Sequence, residues 1–381
     1  MNIFRRLSLS RLLVLCGLIV GIGVTATALA SALSSAPTPP AKPLANAVRD
    51  ALLAPPVDGL SANITLTNHL LEGANLAEAG GQGGGGLAGS PLLNGGSGRL
   101  WISKDGKVRL ELQAEKGDTE IIYDGHTVTM YDASSNTLYR YTPTKGEGWT
   151  SYAPTAKSSR KAAAKDAAGS DEVPSVAKIE ESIADVRKHA QLSGATPADV
   201  AGQPAYTVRI APKEGGSLLG GAELSFDSVH GLPLRAAIYS STSSAPVIEL
   251  AATEVSYGPV DPSVFSLTPP PGAKIEEITA SDLSGSNAAH AKAKHPGAKP
   301  TVTSHGHGIS SIAVLESKVK PGSKGSGGSL EGLPKVRING VSATELRTAL
   351  GTVLTFERSG VRYVLAGSVT AASIEALARG L

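Results

Sequence analysis

The sequence predicts an α+β fold, mainly antiparallel β, followed by a second and smaller α+β unit. Three observations predict it. From about residue 99, short runs alternate apolar and polar residues and are separated by Asp-Gly and similar turn pairs. Two other segments carry apolar residues at helical spacing. A stretch at 280–300, rich in Ala, Lys, His and Ser, then separates these from a further series of strand-like and helix-like runs.

In residues 107–113, Val108, Leu110 and Leu112 alternate with Arg109, Glu111 and Gln113, the period of a strand with one buried face. Asp105-Gly106 is a tight-turn pair joining this strand to a partner at 99–103. The device recurs at Asp124-Gly125, between runs at 120–123 and 126–132, and a turn at 134–136 leads to 137–141. Later strands are expected at 206–211, 222–227, 234–240 and 247–257. Connections this short imply an antiparallel meander.

Two helices accompany the sheet. Leu44, Val48, Ala51 and Leu52 form one apolar stripe ahead of the first expected strand. Val176, Ile179, Ile183 and Val186 form another, with Pro174 near its start and Arg187, Lys188 and His189 where the negative end of the helix dipole falls. Single-striped helices are expected on one face of the sheet.

In the second unit, 309–315 and 336–338 read as strands and 343–350 as a helix. Residues 352–358 and 361–366 read as a hairpin across Ser359-Gly360. Thr370 is placed to cap a last helix bearing Ile374, Leu377 and Ala378.

At the other end, residues 12–33 contain no charge and follow Arg5, Arg6 and Arg11. The basic start, the apolar run and the overlapping Ala28-Leu29-Ala30 and Ala30-Ser31-Ala32 sites read as a cleaved signal peptide. The same run is long enough to stay in the bilayer as a signal anchor. Either way, positive-inside topology places the rest outside the cytoplasm, membrane-anchored or secreted to the cell envelope. Cys16, the single cysteine, lies in this run, so no disulfide joins parts of the mature chain. Leu13-Val14-Leu15-Cys16 resembles a lipobox, but Leu15 stands where a small residue is needed.

The boundaries that follow are 1–33 for the export segment and 34–43 for a Pro/Ala spacer. The first domain spans 44–279, with flexible loops at 79–98 and 152–169. A linker at 280–300 leads to the second unit at 301–381, which contains a further Gly/Ser tract at 320–333. These tracts bury too little apolar surface to offset chain entropy. A net charge of +2 argues against nucleic acid as a partner.

Residues 99–141 resemble the repeating hairpins of the LolA-like lipoprotein carriers, through Gly106-Lys107-Val108-Arg109, Tyr123-Asp124-Gly125 and Met130-Tyr131-Asp132. Ala201-Gly202-Gln203-Pro204-Ala205-Tyr206 and Gly231-Leu232-Pro233-Leu234 are similar too. The most specific run is Gly258-Pro259-Val260-Asp261-Pro262-Ser263-Val264-Phe265, closing on Pro270-Pro271-Gly272. With the second unit included, the whole resembles the two-domain RseB/MucB-like regulators of sigma-E. In the carrier family an arginine follows the first glycine turn, and Arg109 stands at that place, with Val108 and Leu110 where aromatic residues are usual.

The resemblance implies a half-open, strongly curved antiparallel sheet covered by helices, with an apolar cavity that takes an acyl lipid or lipoprotein. It also implies a candidate protein partner, the exposed part of a transmembrane anti-sigma factor. The ligand-cavity candidates are Val108, Leu110, Leu112, Val128, Met130 and Arg109. The five apolar residues share one face in the expected register and serve equally well as ordinary core under the helices. For Arg109 the resemblance suggests a hydrogen bond that closes a lid. Strand alternation instead turns it away from the Val108 face, as a solvated strand arginine.

His305-Gly306-His307 lacks the further ligands of a metal site. No phosphate loop, nucleophile elbow or paired-carboxylate arrangement is present. No cofactor and no enzymatic activity are expected. The expected function is extracytoplasmic lipid or lipoprotein binding, as carrier or envelope sensor. The alternative is an adaptor acting on the anti-sigma factor, and a third reading is a structural envelope protein whose cavity is filled by its own side chains.

Overall fold

A computed structural model describes residues 38–71, 91–115, 117–142, 173–279, 301–319 and 333–381. The export segment, the 152–169 region and the whole 280–300 linker lie outside the described residues. So do the 79–90 part of the first glycine tract and nearly all of the second. Among the described residues no helix is long and apolar enough to cross a membrane.

The first sheet has thirteen strands. They are β1 (Gly59–Asn68), β2 (Gly96–Ser103), β3 (Val108–Ala114), β4 (Gly117–Tyr123), β5 (Val128–Asp132), β6 (Thr137–Tyr141), β7 (Ala190–Leu192), β8 (Thr196–Val200), β9 (Gln203–Pro212), β10 (Leu219–Asp227), β11 (Pro233–Ser240), β12 (Pro246–Tyr257) and β13 (Lys274–Ile278). The order across the sheet is β13-β6-β5-β4-β3-β2-β1-β12-β11-β10-β9-β7, with β8 pairing to β9. The outermost strands do not meet, so the sheet is curved but open. Among the described residues three helices belong to it: α1 (Leu44–Leu53), the single turn α2 (Pro91–Asn94) and α3 (Val176–His189).

Register makes one face of this sheet apolar almost throughout. Leu60 lies opposite Ile102 and Ala62 opposite Leu100, while Leu110 pairs with both Leu100 and Ile121. On the far side of β1, Ala62 faces Val255 and Leu66 faces Leu250. Directly paired residues of an antiparallel ladder point the same way, so these side chains form one continuous surface. α1 and α3 cover its β9–β10 end, where Leu44, Ala47, Tyr206 and Phe226 are buried together and Ile183 packs against them. α3 begins with Ser175, whose hydroxyl accepts a hydrogen bond from the Lys178 amide at 3.3 Å.

The two helices and the strands from 99 to 141 and from 203 to 257 fall where the alternation puts them. β1 was not among the expected strands, although Ala62, Ile64 and Leu66 alternate with Asn63, Thr65 and Thr67. β13 departs from the expected antiparallel meander, because it pairs with β6 in parallel. Part of the expected first glycine loop is ordered, since Pro91–Asn94 is helical and Gly96–Ser103 is a strand. An added Cβ at Gly98 would lie 1.8 Å from the Glu111 carbonyl oxygen, so that glycine permits an approach of β2 to β3 that a side chain would block. The expected spacer is also ordered from residue 38: Tyr206 Oη donates to the Pro40 carbonyl at 2.6 Å, and Lys42 bridges to Ala195.

The second unit is a six-stranded sheet in the order β14-β15-β19-β18-β17-β16. Its strands are β14 (Thr301–His305), β15 (Ile312–Lys318), β16 (Lys335–Ile338), β17 (Val341–Thr348), β18 (Gly351–Arg358) and β19 (Val361–Gly367), and α4 (Ala371–Gly380) lies on one face. Val314, Leu354, Leu365, Ile374 and Ala378 are fully buried in its own core. Thr370 accepts from the Ser373 amide as the expected cap of α4.

The helix expected at 343–350 is instead strand β17. Asn339 and Gly340, with φ of 48° and 83°, make a two-residue turn that folds β17 back on β16. β18 pairs with its other edge, so ladder bonds on both sides override the helical preference of Ala343, Glu345 and Leu346. β15 starts three residues later than expected because Gly308–Ser310 forms a 3₁₀ turn. Among the described residues two main-chain bonds join the two units: the Leu218 amide to the Ser368 carbonyl at 2.7 Å, and the Ala349 amide to the Leu70 carbonyl at 3.0 Å.

Candidate apolar-ligand site

The apolar face of the first sheet is its concave face. Leu100 and Ile102 of β2 and Leu224 of β10 line one cavity of about 100 Å³. Four strand spacings, roughly 19 Å in a flat sheet, separate β2 from β10. Only strong curvature brings their side chains to one cavity. Ala62, Ala236 and Ala252 lie on the strands between and leave room that larger side chains would fill.

The turn between β10 and β11 closes part of this cavity with Leu232 and Pro233. Asp227, fully buried, holds the turn. Its carboxylate accepts from the Val229 and His230 amides at 2.6 and 2.8 Å and from the Tyr257 hydroxyl. Burial raises the Asp227 pKa, but these hydrogen bonds outweigh it and hold the carboxyl below its ordinary range. Burial and the Asp227 charge together push the Tyr257 phenol well above its usual pKa. Gly231, at φ 68°, lies against the end of α1; an added Cβ there would stand 2.2 Å from the Ala51 carbonyl oxygen.

The structure divides the sequence candidates. Leu110 and Leu112 are core, packed with Leu60, Ile64 and Leu66. Val108, Val128 and Met130 lie on the same face, half-buried, where β3 to β5 extend beyond the cavity. Arg109 is corrected: it does not face the cavity. It lies opposite Trp101 in the ladder, on the convex face, and its guanidinium stands over the Trp101 ring. Its Nη1 donates to the Val264 carbonyl at 2.7 Å, and its Nη2 lies 3.1 Å from Glu120. It is therefore neither a cavity lid nor a solvated arginine. It fastens the segment after β12, with the 3₁₀ turn Pro262–Phe265, across the back of the sheet. Phe265, Ile122 and Leu138 are buried there. Burial and the neighbouring Glu111 push the Glu120 carboxyl above its ordinary pKa, although Arg109 opposes them.

The convex face holds a charged network centred on Arg235, a residue that also borders the cavity but alternates with Leu234 and Ala236 along β11. Arg235 donates to Glu249 at 2.6 Å and to Glu223 at 2.9 Å, and Tyr239 and Arg209 complete the partners of Glu223. Burial alone would raise the Glu223 pKa, but hydrogen bonds from Arg235, Tyr239 and Arg209 leave it lowered. No group of three or more His, Cys, Asp or Glu among the described residues is arranged to hold a metal. None of the six sequence candidates lines this cavity; its lining from β1, β2, β10, β11 and β12 was missed. For β1 the signal was its own two-residue alternation.

The expected α+β organisation, an open, mainly antiparallel curved sheet followed by a smaller second sheet with its own helix, is the one the chain adopts. No protein-family model matches the chain, and no curated protein does. Solved structures similar in fold include MucB in complex with MucA(peri), 12% identical, covering 88% of this chain and 94% of that chain with a TM-score of 0.36. The Pseudomonas aeruginosa MucA/MucB complex is 14% identical with the same coverage and a TM-score of 0.37. An uncharacterized conserved protein from Thermus thermophilus is 10% identical, covering 62% of this chain and 97% of that chain, with a TM-score of 0.33.

Proposed function

We propose that the chain is a non-enzymatic extracytoplasmic protein that holds an apolar ligand, a lipid or the acyl part of a lipoprotein, against the concave face of its first sheet. The observation that carries this reading is the continuity of that face. It runs from the partly open cavity between β2 and β10 to the half-buried Val108, Val128 and Met130, with Arg235 the one charged residue bordering the cavity among the described residues. The cavity of about 100 Å³ is smaller than the roughly 300–1,000 Å³ of a typical ligand pocket. An acyl chain therefore extends from it over the open wall of β3 to β5. Each buried methylene adds roughly 0.8 kcal/mol. The test is titration with a fluorescent fatty acid, together with lipid extraction from protein purified out of its own envelope. Saturable binding that Met130→Asp weakens supports the reading; no bound lipid and no titration signal defeat it.

A second reading is an adaptor that binds the exposed part of a transmembrane anti-sigma factor. The second unit favours it, because a carrier needs only the first sheet. Its sheet has one face packed on α4, and the other carries Leu315, Val364, Val353 and Leu346, all half-buried. Deleting 301–381 separates the readings. Loss of a protein partner with lipid binding kept supports the adaptor, and unchanged partners remove it.

A further inference from the structure

A second recess lies on the helix side of the molecule and takes no part in the concave-face site. Where the start of α1 meets the second half of α3, a groove of about 750 Å³ is open to solvent, within the size of small-molecule sites. Pro43, Leu44, Ile183 and Ala184 give it apolar walls. Arg187, Lys188 and Lys213 also line it, against the single carboxylate of Glu180. Two of the cations have partners. Lys213 donates to the Arg187 carbonyl, satisfying the end of α3, and Lys188 pairs with Asp185 at 2.6 Å. The Arg187 guanidinium has no ion-pair partner among the described residues.

We propose that this groove binds a single-chain anionic amphiphile, a long-chain carboxylate. Its hydrocarbon lies on Leu44, Ile183 and Ala184, and its carboxylate meets Arg187. Charge complementarity selects this occupant. Guanidinium matches carboxylate geometry in a bidentate pair. A neutral chain would cover the same wall without that pair, and a cationic one would meet net positive charge. A recess between two helices takes one chain, whereas a membrane surface needs an exposed convex patch. This proposal is independent of the concave-face reading, because the two sites share no residue.

The experiment is calorimetric titration of the exported protein, produced from the full chain, with tetradecanoate and with tetradecyltrimethylammonium, both below micelle formation. Arg187→Glu and Ala184→Trp change exposed positions on α3, and thermal melting checks that both variants fold. Ala252→Trp fills the concave cavity and serves as the control. The expected result is about a tenfold or greater loss of tetradecanoate affinity in Arg187→Glu and in Ala184→Trp, with the groove component kept in Ala252→Trp. The cationic amphiphile should bind the wild type more weakly and gain affinity in Arg187→Glu. Absence of tetradecanoate binding overturns the proposal, as does affinity indifferent to both α3 variants. Binding lost only in Ala252→Trp also overturns it while leaving the concave-face reading intact. Binding to anionic vesicles without binding of the free carboxylate assigns the patch to a membrane and overturns it too.

Discussion

Arg109 Nη1 and the Val264 carbonyl oxygen stand 2.7 Å apart, joining strand β3 to a turn 155 residues further along the chain. The bond ties the return segment across the convex face and leaves the concave face free. Arg109→Ala should destabilise the first domain by about 2–4 kcal/mol, because it removes this bond and leaves Glu120 without its counter-ion. Urea unfolding measures the loss, and hydrogen exchange should localise it to residues 262–278. Fatty-acid affinity of the folded variant should stay within about twofold. A large affinity loss with unchanged stability would return Arg109 to the cavity.

Leu112 and Met130 occupy the same face and should behave differently. Leu112 is 1% exposed, so Leu112→Ala should cost about 2–5 kcal/mol in stability. Met130 is half-buried on the open wall, so Met130→Asp should leave melting within a few degrees and weaken binding of an apolar ligand about tenfold or more. Paired melting and titration curves distinguish core from binding wall.

Asp227 gives the fold a defined acid limb. Its folded pKa is lowered, so the stability it contributes is present above its unfolded pKa of about 3.9 and is lost as pH falls through the folded value. Glu223 acts in the same direction. Glu120 acts oppositely: its raised pKa favours folding below its unfolded value, and that contribution fades as pH rises through the folded one. Asp105 and Asp124 are lowered too, so carboxyls held below their ordinary range outnumber the raised Glu120, and melting temperature should drop below about pH 4. The gap between wild type and Asp227→Asn should shrink over the same interval. A constant gap from pH 7 to pH 3 would show that the carboxylate charge does not hold the β10–β11 turn.

The second unit has its own core, and Leu354 is fully buried in it. Leu354→Ala should lower the stability of that unit by about 2–5 kcal/mol and leave the transition of the first domain in place. Calorimetry should show one transition shifted and the other fixed. A common shift of both would mean that the contacts around Leu218 and Ser368 couple the units into one cooperative body.

The hairpins from 99 to 141 were legible because their strands obey a strict two-residue period between Asp-Gly turns, a local signal that the fold leaves intact. The apolar stripes of α1 and α3 were legible for the same reason. β17 was misread because Ala343, Glu345 and Leu346 favour helix, while the Asn339-Gly340 turn and two flanking strands decide otherwise. β13 was not readable at all, since its pairing with β6 is long-range and parallel. For the site, alternation put Leu110, Leu112 and Met130 on one face and turned Arg109 to the other. It did not show which residues of that face are covered. That depends on curvature, on small residues such as Ala252, and on where the Asp227 turn lands, none of which a single strand encodes.

The measurement that tests the central claim most directly is native mass spectrometry, with lipid extraction, of the protein purified from its own envelope beside Met130→Asp and Ala252→Trp. A stoichiometric acyl ligand on the wild type that is depleted in both variants is the expected result. A wild-type protein that is stable, folded and free of lipid, or one whose ligand is unchanged in both variants, would contradict a ligand site on the concave face.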